Sequence, residues 1–254
     1  MEPSWLETYY TALEFVYWEP QHLGRKKNPE TDLDTLDKVA KRLRHLEVTL
    51  NHNIDQFFRL APSLLRRELF ARVFGRTFSN LFIMHGREVD KTFELVYAMQ
   101  PDFLFVSEKE VVSIEMKTGA KSSVSQVLKY ALLGLAIELK QKVSLQHYLL
   151  LLGPGDFSGL WNEKFKTTAD LHDAISNANL PAFLDQQPVR FRSHQEQFAG
   201  VVGRLQISWL TYGQLSDFLR AASPAETDLT QGAEVYRKLI SGLLGELSAR
   251  NLDK

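Results

Sequence analysis

The chain has 254 residues, of which 44% are hydrophobic, with a formal net charge of −1 and no cysteine. Its length allows one large domain, or a domain with a smaller appendage, around a full core. The near-zero charge excludes a globally basic, histone-like nucleic-acid binder, and the missing thiols exclude disulfides, zinc–thiolate sites and cysteine nucleophiles.

In chain order, residues 1–24 hold four acids (Glu2, Glu7, Glu14, Glu19) and neither Lys nor Arg. Residues 4–18 are aromatic-rich (Trp5, Tyr9, Tyr10, Phe15, Tyr17, Trp18) and predict a short helix docked on the rest. No basic region followed by an apolar stretch opens the sequence, so no signal peptide is expected. Residues 20–29, with Gly24 and the Arg25-Lys26-Lys27 cluster, read as a loop. Over 32–60, Leu36, Val39, Ala40, Leu43, Leu46 and Leu50 recur at helical spacing. Pro62-Ser63 opens a second helix with Leu64, Leu65, Leu69, Val73 and Phe74 as its apolar positions. Between residues 38 and 91 eleven basic residues face five acidic ones. That excess fits either a phosphate-facing patch or a solvated helix surface.

After Gly86 the texture changes to short β-type runs at 92–98, 103–106 and 111–116. The longest helix is predicted at 122–139, then a strand at 144–152 ended by Gly153-Pro154-Gly155. The polar segment 156–200 predicts a helix at 168–178 and loops around Pro181 and Pro188. A strand at 205–210 and a helix at 214–221 follow. The last helix, 232–251, runs through Val235, Leu239, Leu243, Leu244 and Leu247. No apolar run reaches membrane-spanning length. The expectation is a soluble cytoplasmic chain with no membrane partner. The fold class expected is α/β, a central mixed β-sheet flanked by helices with helical additions at both ends. Residues 1–62 would form an N-terminal helical region on a core made by 63–254, as one compact unit.

Chemistry concentrates in one stretch. In a strand at 111–116, alternation puts Ser113, Glu115 and Lys117 on one face and Val112, Ile114 and Met116 on the other. Glu115 and Lys117 thus emerge together, about 7 Å apart along the strand. If 103–106 and 111–116 form an antiparallel hairpin, Asp102 lies beside them. Two converging carboxylates repel unless a cation lies between them, and hard oxygen ligands suit Mg²⁺ or Mn²⁺. The plain alternative is a surface hairpin with an ordinary Glu–Lys pair. In the following helix Gln126 and Tyr130, four residues apart, share one flank, from which both can reach the same site.

Pro101-Asp102, Glu115-x-Lys117 and Gln126-x-x-x-Tyr130, in this order, resemble the PD-(D/E)XK nuclease superfamily, in particular its RecB-type branch with a Q-x-x-x-Y motif. The resemblance covers residues 63–152 and implies a restriction endonuclease-like core. It implies that Asp102, Glu115 and the Met116 carbonyl hold Mg²⁺ or Mn²⁺, with Lys117 positioning water and stabilising charge on the phosphate. It implies that Gln126 and Tyr130 orient the site or contact the nucleic-acid backbone. A glutamate from the preceding helix often completes the metal site in this family; Glu68 is the candidate, with Glu88 and Glu94 as competitors. Against such a site the basic excess becomes a DNA-facing surface, with Arg66, Arg67, Arg72 and Arg76 as the residues to test, and Lys129 beside the motif touching phosphate. The implied activity is Mg²⁺-dependent hydrolysis of DNA, with RNA not excluded, in restriction, defence against foreign DNA or DNA repair. The rivals are a non-catalytic member that binds nucleic acid or a partner protein, and an unrelated α/β protein whose hairpin charges are incidental.

Overall fold

A computed structural model describes residues 47–78, 81–86, 89–95, 99–119, 121–161 and 165–254. The aromatic helix expected at 4–18, the loop at 20–29 and the first part of the helix at 32–60 lie outside the described residues. Contacts divide the chain into two compact units, one spanning 63–212 and one made of the N-terminal segment through Pro62 together with 213–254.

The larger unit is an α/β fold built on a five-stranded mixed sheet. Its elements are α2 (Ser63–Phe74), β1 (Ile83–His85), α3 (Val89–Thr92), β2 (Phe103–Val106), β3 (Glu110–Met116), α4 (Val124–Gln141), β4 (Gln146–Gly153), a 3₁₀ turn (Phe157–Leu160), α5 (Thr168–Ser176), α6 (Leu180–Asp185), α7 (Val189–Arg192), α8 (Gln195–Arg204) and β5 (Gln206–Thr211). The strands lie in chain order across the sheet. β1, β2 and β3 form an antiparallel meander, while β3, β4 and β5 run parallel. The hairpin between β2 and β3 is closed by Ser107, whose N–H donates to the Glu110 carbonyl at 2.8 Å and whose Oγ accepts the Glu110 N–H at 3.0 Å. The step from β3 to β4 is made by α4, as a parallel pair requires a long crossover.

Register assigns the two faces. Val111, Ser113 and Glu115 share a face with Leu104, Val106, Leu149, Leu151, Ile207 and Trp209. On that face the sheet side chains join α4, α5, α6, α7 and α8 in one apolar core. The other face carries Phe105, Val112, Tyr148 and Leu150 and is covered by α2. Phe70 meets Phe105 edge-on at 5.3 Å and Phe74 meets Tyr148 at 4.9 Å. β3 is buried along its whole length because helices cover both faces, so it reads as an almost continuous apolar run.

Several sequence expectations change. Residues 92–95 are not a strand: Thr92 ends α3, the Phe93 N–H donates to the Val89 carbonyl at 2.9 Å, and Glu94 has φ of 54°. A strand excludes that left-handed value; residues 96–98 lie outside the described residues. Phe93 and Leu95 are nonetheless buried, two apart, which mimics strand alternation. The first strand is instead Ile83–His85, with Ile83 68% exposed, so it carries no inward apolar pattern. Pro181 does not mark a loop but sits in the first turn of α6, while Pro188 lies in the turn at 186–188, as expected, and caps α7. Proline is tolerated there because those N–H groups have no intrahelical partner. On α2, Leu64 faces solvent and Phe70 is buried in its stead.

The second unit contains α1 (Glu47–Leu60), α9 (Tyr212–Ala222) from Gly213 onward, and α10 (Gln231–Ala249). α1 and α10 pack together, and Leu239, Ile240, Leu243 and Leu247 form the buried stripe of α10. Val235, expected on that stripe, is exposed. Among the described residues no helix is long and apolar enough to cross a membrane.

α4 packs tightly on β4 at Gly134, where an added Cβ would lie 2.8 Å from the His147 ring. That ring is held by Glu138, its Nε2 lying 2.9 Å from the carboxylate, and cannot swing away freely. Gly134→Ala is therefore expected to cost about 1–3 kcal/mol by overpacking, read as a lower urea midpoint. An unchanged midpoint would show that the helix–strand spacing relaxes.

Candidate functional site

The site forms where β2 ends its pairing with β3. The register Phe103↔Ile114, continued one step, sets Asp102 across from Glu115. Directly opposed residues on one face have Cβ atoms about 4.5–5.5 Å apart, so the two side chains start as neighbours, and the charges of both act on Tyr130. A further step sets Pro101 across from Met116, and proline has no N–H to extend the ladder. The Met116 N–H donates to Asp102 Oδ2 at 2.7 Å. What Pro101 does not offer is a ladder donor to the Met116 carbonyl. On its other side β3 stays paired with β4 for one more residue, the Lys117 N–H donating to the Leu152 carbonyl at 2.8 Å.

Glu115 is the centre. It is 6% exposed and lies on the helix-covered face of the sheet. Three side chains donate to its carboxylate. Lys117 Nζ lies 2.6 Å from Oε1, Gln126 Nε2 also donates to Oε1, and the Tyr130 hydroxyl donates to Oε2. A buried charge without such partners costs several kcal/mol. Lys117 shares the face of Glu115 by strand alternation, and its side chain is 12% exposed.

Gln126 and Tyr130 come from the first two turns of α4. Ser123 caps this helix in extended geometry, its Oγ accepting the Gln126 N–H at 3.3 Å. Ser123-x-x-Gln126 has the spacing of a capping box, in which the glutamine turns back to the cap N–H. Here only the serine half of that arrangement is built around Oγ, and the glutamine side chain is directed to Glu115 instead. Its Oε1 accepts a hydrogen bond from Ser122 Oγ at 3.1 Å. Ser122 was not singled out from the sequence; the Ser122-Ser123 doublet before a helix was the available signal.

Tyr130 is 4% exposed, and its pKa is pushed well above the usual tyrosine value, first by burial, then by the negative charges of Glu115 and Asp102. It is a neutral donor at every physiological pH.

The other candidates fall elsewhere. Glu68 is exposed on α2, the helix that covers the opposite face of the sheet. Among the described residues no group of three acidic or histidine side chains is placed to hold a metal, so neither Glu68 nor Glu94 joins Asp102 and Glu115. Glu94 pairs with Arg190, and Glu88 lies outside the described residues. Arg76 donates to Tyr148 and, at 3.1 Å, to Glu110. Glu110 begins β3, so this pair sits about 17 Å along the strand from Glu115, by the usual rise. Arg67 donates to the Phe78 carbonyl at 2.8 Å, and Arg66 is half-buried, its pKa lowered by burial. Arg72 is exposed on α2, and Lys129 is half-buried on α4 between the two motif residues.

The donor set can be tested against a divalent cation. Two neighbouring carboxylates and a carbonyl at a ladder end are all hard oxygen donors. Mg²⁺ is held by one or two carboxylates while keeping several waters, so this set fits it without a third acid. Glu115 spends three of its roughly four acceptor positions on Lys117, Gln126 and Tyr130, which leaves one for such an ion.

Comparison with protein-family models, with curated proteins and with solved structures finds no match to this chain.

The raised pKa of Tyr130 has a consequence for stability. The unfolded chain gives up this proton near the ordinary value of 10.0, the folded chain only above it. The contribution is fully present below that value and is lost as pH rises through the folded pKa. Stability above pH 10 is thus expected to fall less steeply in Tyr130→Phe than in the wild type, measured by urea titration at a series of alkaline pH values. Equal slopes would show that Tyr130 ionises as a solvated tyrosine.

Proposed function

We propose that this protein is a Mg²⁺-dependent nuclease hydrolysing phosphodiester bonds of DNA, of the PD-(D/E)XK type with the Q-x-x-x-Y motif. The observation that carries the reading is the convergence of Lys117, Gln126 and Tyr130 on the Glu115 carboxylate, with Asp102 held on the next N–H of the strand, that of Met116. These residues are separated by up to 28 positions in sequence and come from a strand end, a strand and a helix. An incidental Glu–Lys pair on a hairpin needs neither the buried tyrosine nor the oriented glutamine. The strand order, a meander followed by a helical crossover to a parallel strand, is also the order that the motif resemblance implies.

In this reading Asp102, Glu115 and the Met116 carbonyl hold the metal. A bound Mg²⁺ supplies Lewis acidity toward the scissile phosphate and lowers the pKa of an attacking water. Lys117 offsets the negative charge gathered at the site and orients the water against the phosphorus. Gln126 and Tyr130 fix the plane of the Glu115 carboxylate, so that its remaining lone pair keeps one direction. Arg66, Arg67, Arg72 and Lys129 are the cations proposed for the nucleic-acid backbone, with the action placed in the cytoplasm in restriction, defence against foreign DNA or repair. Arg76, paired with Glu110 at the far end of β3, has the weakest claim among them.

The test is incubation of the purified protein with linear, circular and single-stranded DNA and with RNA, in Mg²⁺, Mn²⁺ or EDTA. Metal-dependent cleavage is expected, falling about 10²–10³-fold in Asp102→Ala and in Lys117→Ala variants that keep the wild-type circular dichroism. Cleavage that survives both changes would contradict the assignment. DNA binding without cleavage on any substrate would favour a non-catalytic binding module on the same fold.

A further inference from the structure

Among the described residues, Ser122 has the hydroxyl that donates to the Gln126 side-chain amide. It is 2% exposed and precedes the cap of α4. Its main chain forms a parallel bridge with Trp161, and its N–H donates to the Leu160 carbonyl at 2.6 Å. Leu160 ends the 3₁₀ turn, which is itself fixed by Asp156, whose Oδ1 accepts the Gly159 N–H at 3.0 Å and the Ser158 hydroxyl at 3.1 Å. Phe157 and Trp161, with ring centroids 5.5 Å apart, seat that turn in the core.

The hydrogen-bond directions follow from chemistry. An ionised carboxylate only accepts, so the amide nitrogen of Gln126 has to face Glu115. The amide oxygen then faces Ser122, and the hydroxyl has to donate to it. With the amide reversed, oxygen would face carboxylate and the Glu115 partner would be lost. Glu115 therefore sets which end of the amide it meets, and the Ser122 hydroxyl holds the amide there by donating to its oxygen.

We infer that Ser122 is a positioning residue: docked by the 157–160 turn, it locks the Gln126 amide so that Glu115 is held for metal binding. The amide lock stands on the hydrogen-bond network alone, and only the metal step rests on the nuclease reading above. This also gives a role to the start of the 156–200 segment, which no sequence motif explains.

Two measurements separate the two levels. In metal-free protein, the Gln126 side-chain amide signals, assigned by their loss in Gln126→Met, are expected to exchange slowly with water. Ser122→Ala should return them to the rate of exposed glutamines, and Ser122→Thr should restore slow exchange. Titration with Mn²⁺ followed by electron paramagnetic resonance should show about tenfold weaker binding in Ser122→Ala, recovered in Ser122→Thr. Ser122→Cys, near-isosteric with a weaker donor, should move both readouts the same way and serves if the alanine variant does not fold. Slow exchange that persists in Ser122→Ala, or in Ser122→Cys where the alanine variant does not fold, overturns the positioning role. A wild-type protein that binds no Mn²⁺ overturns the metal reading instead, while the exchange result still decides the amide lock.

Discussion

The arrangement depends on one carboxylate placed where a β-sheet normally keeps apolar side chains. Glu115 lies on the inner face of a strand buried on both sides, beside Leu151 of the next strand and across from Asp102. Burying a charge there is unfavourable unless it is fully partnered, and a pair that loses one member is left worse than no pair at all. Lys117, Gln126 and Tyr130 supply the partners. They do so from two elements, so the position of α4 over the sheet and the chemistry of the site are specified by the same contacts.

Proline at 101 is the second constraint. Having no N–H, it leaves the Met116 carbonyl without a ladder donor, beside the Met116 N–H that Asp102 accepts. Site and fold therefore meet at a strand end, on the carboxyl side of the parallel strands where open α/β sheets usually place their ligands.

Much of this was legible in the sequence. Alternation over 111–116 put Glu115 and Lys117 together, and helical spacing put Gln126 and Tyr130 on one flank; the structure agrees on both. The strands at 103–106, 111–116, 144–152 and 205–210 also stand within two residues of those expected. The first three are buried almost throughout, and burial imposes pattern; Gln206–Thr211 is only partly buried. What was not legible lies where pattern is weak or borrowed. Ile83–His85 is three residues long with an exposed isoleucine, and residues 92–95 alternate like a strand while Glu94 takes a left-handed turn. The proline at 181 was punctuation for a helix start, which the sequence alone does not distinguish from a loop. The hydroxyl of Ser122 was invisible for a different reason. Its importance comes from Gln126 turning away from its own helix cap, and that is decided by Glu115, which precedes it by eleven positions.

The central claim is that Asp102 and Glu115 with the Met116 carbonyl make one cation site. A crystal structure of the protein with Mn²⁺, with anomalous scattering recorded for the metal, tests it most directly. One anomalous peak is predicted between Asp102 and Glu115, within about 2.0–2.6 Å of an oxygen of each. Crystals saturated with Mn²⁺ that show no peak there, with Lys117 still on Glu115, would contradict the account.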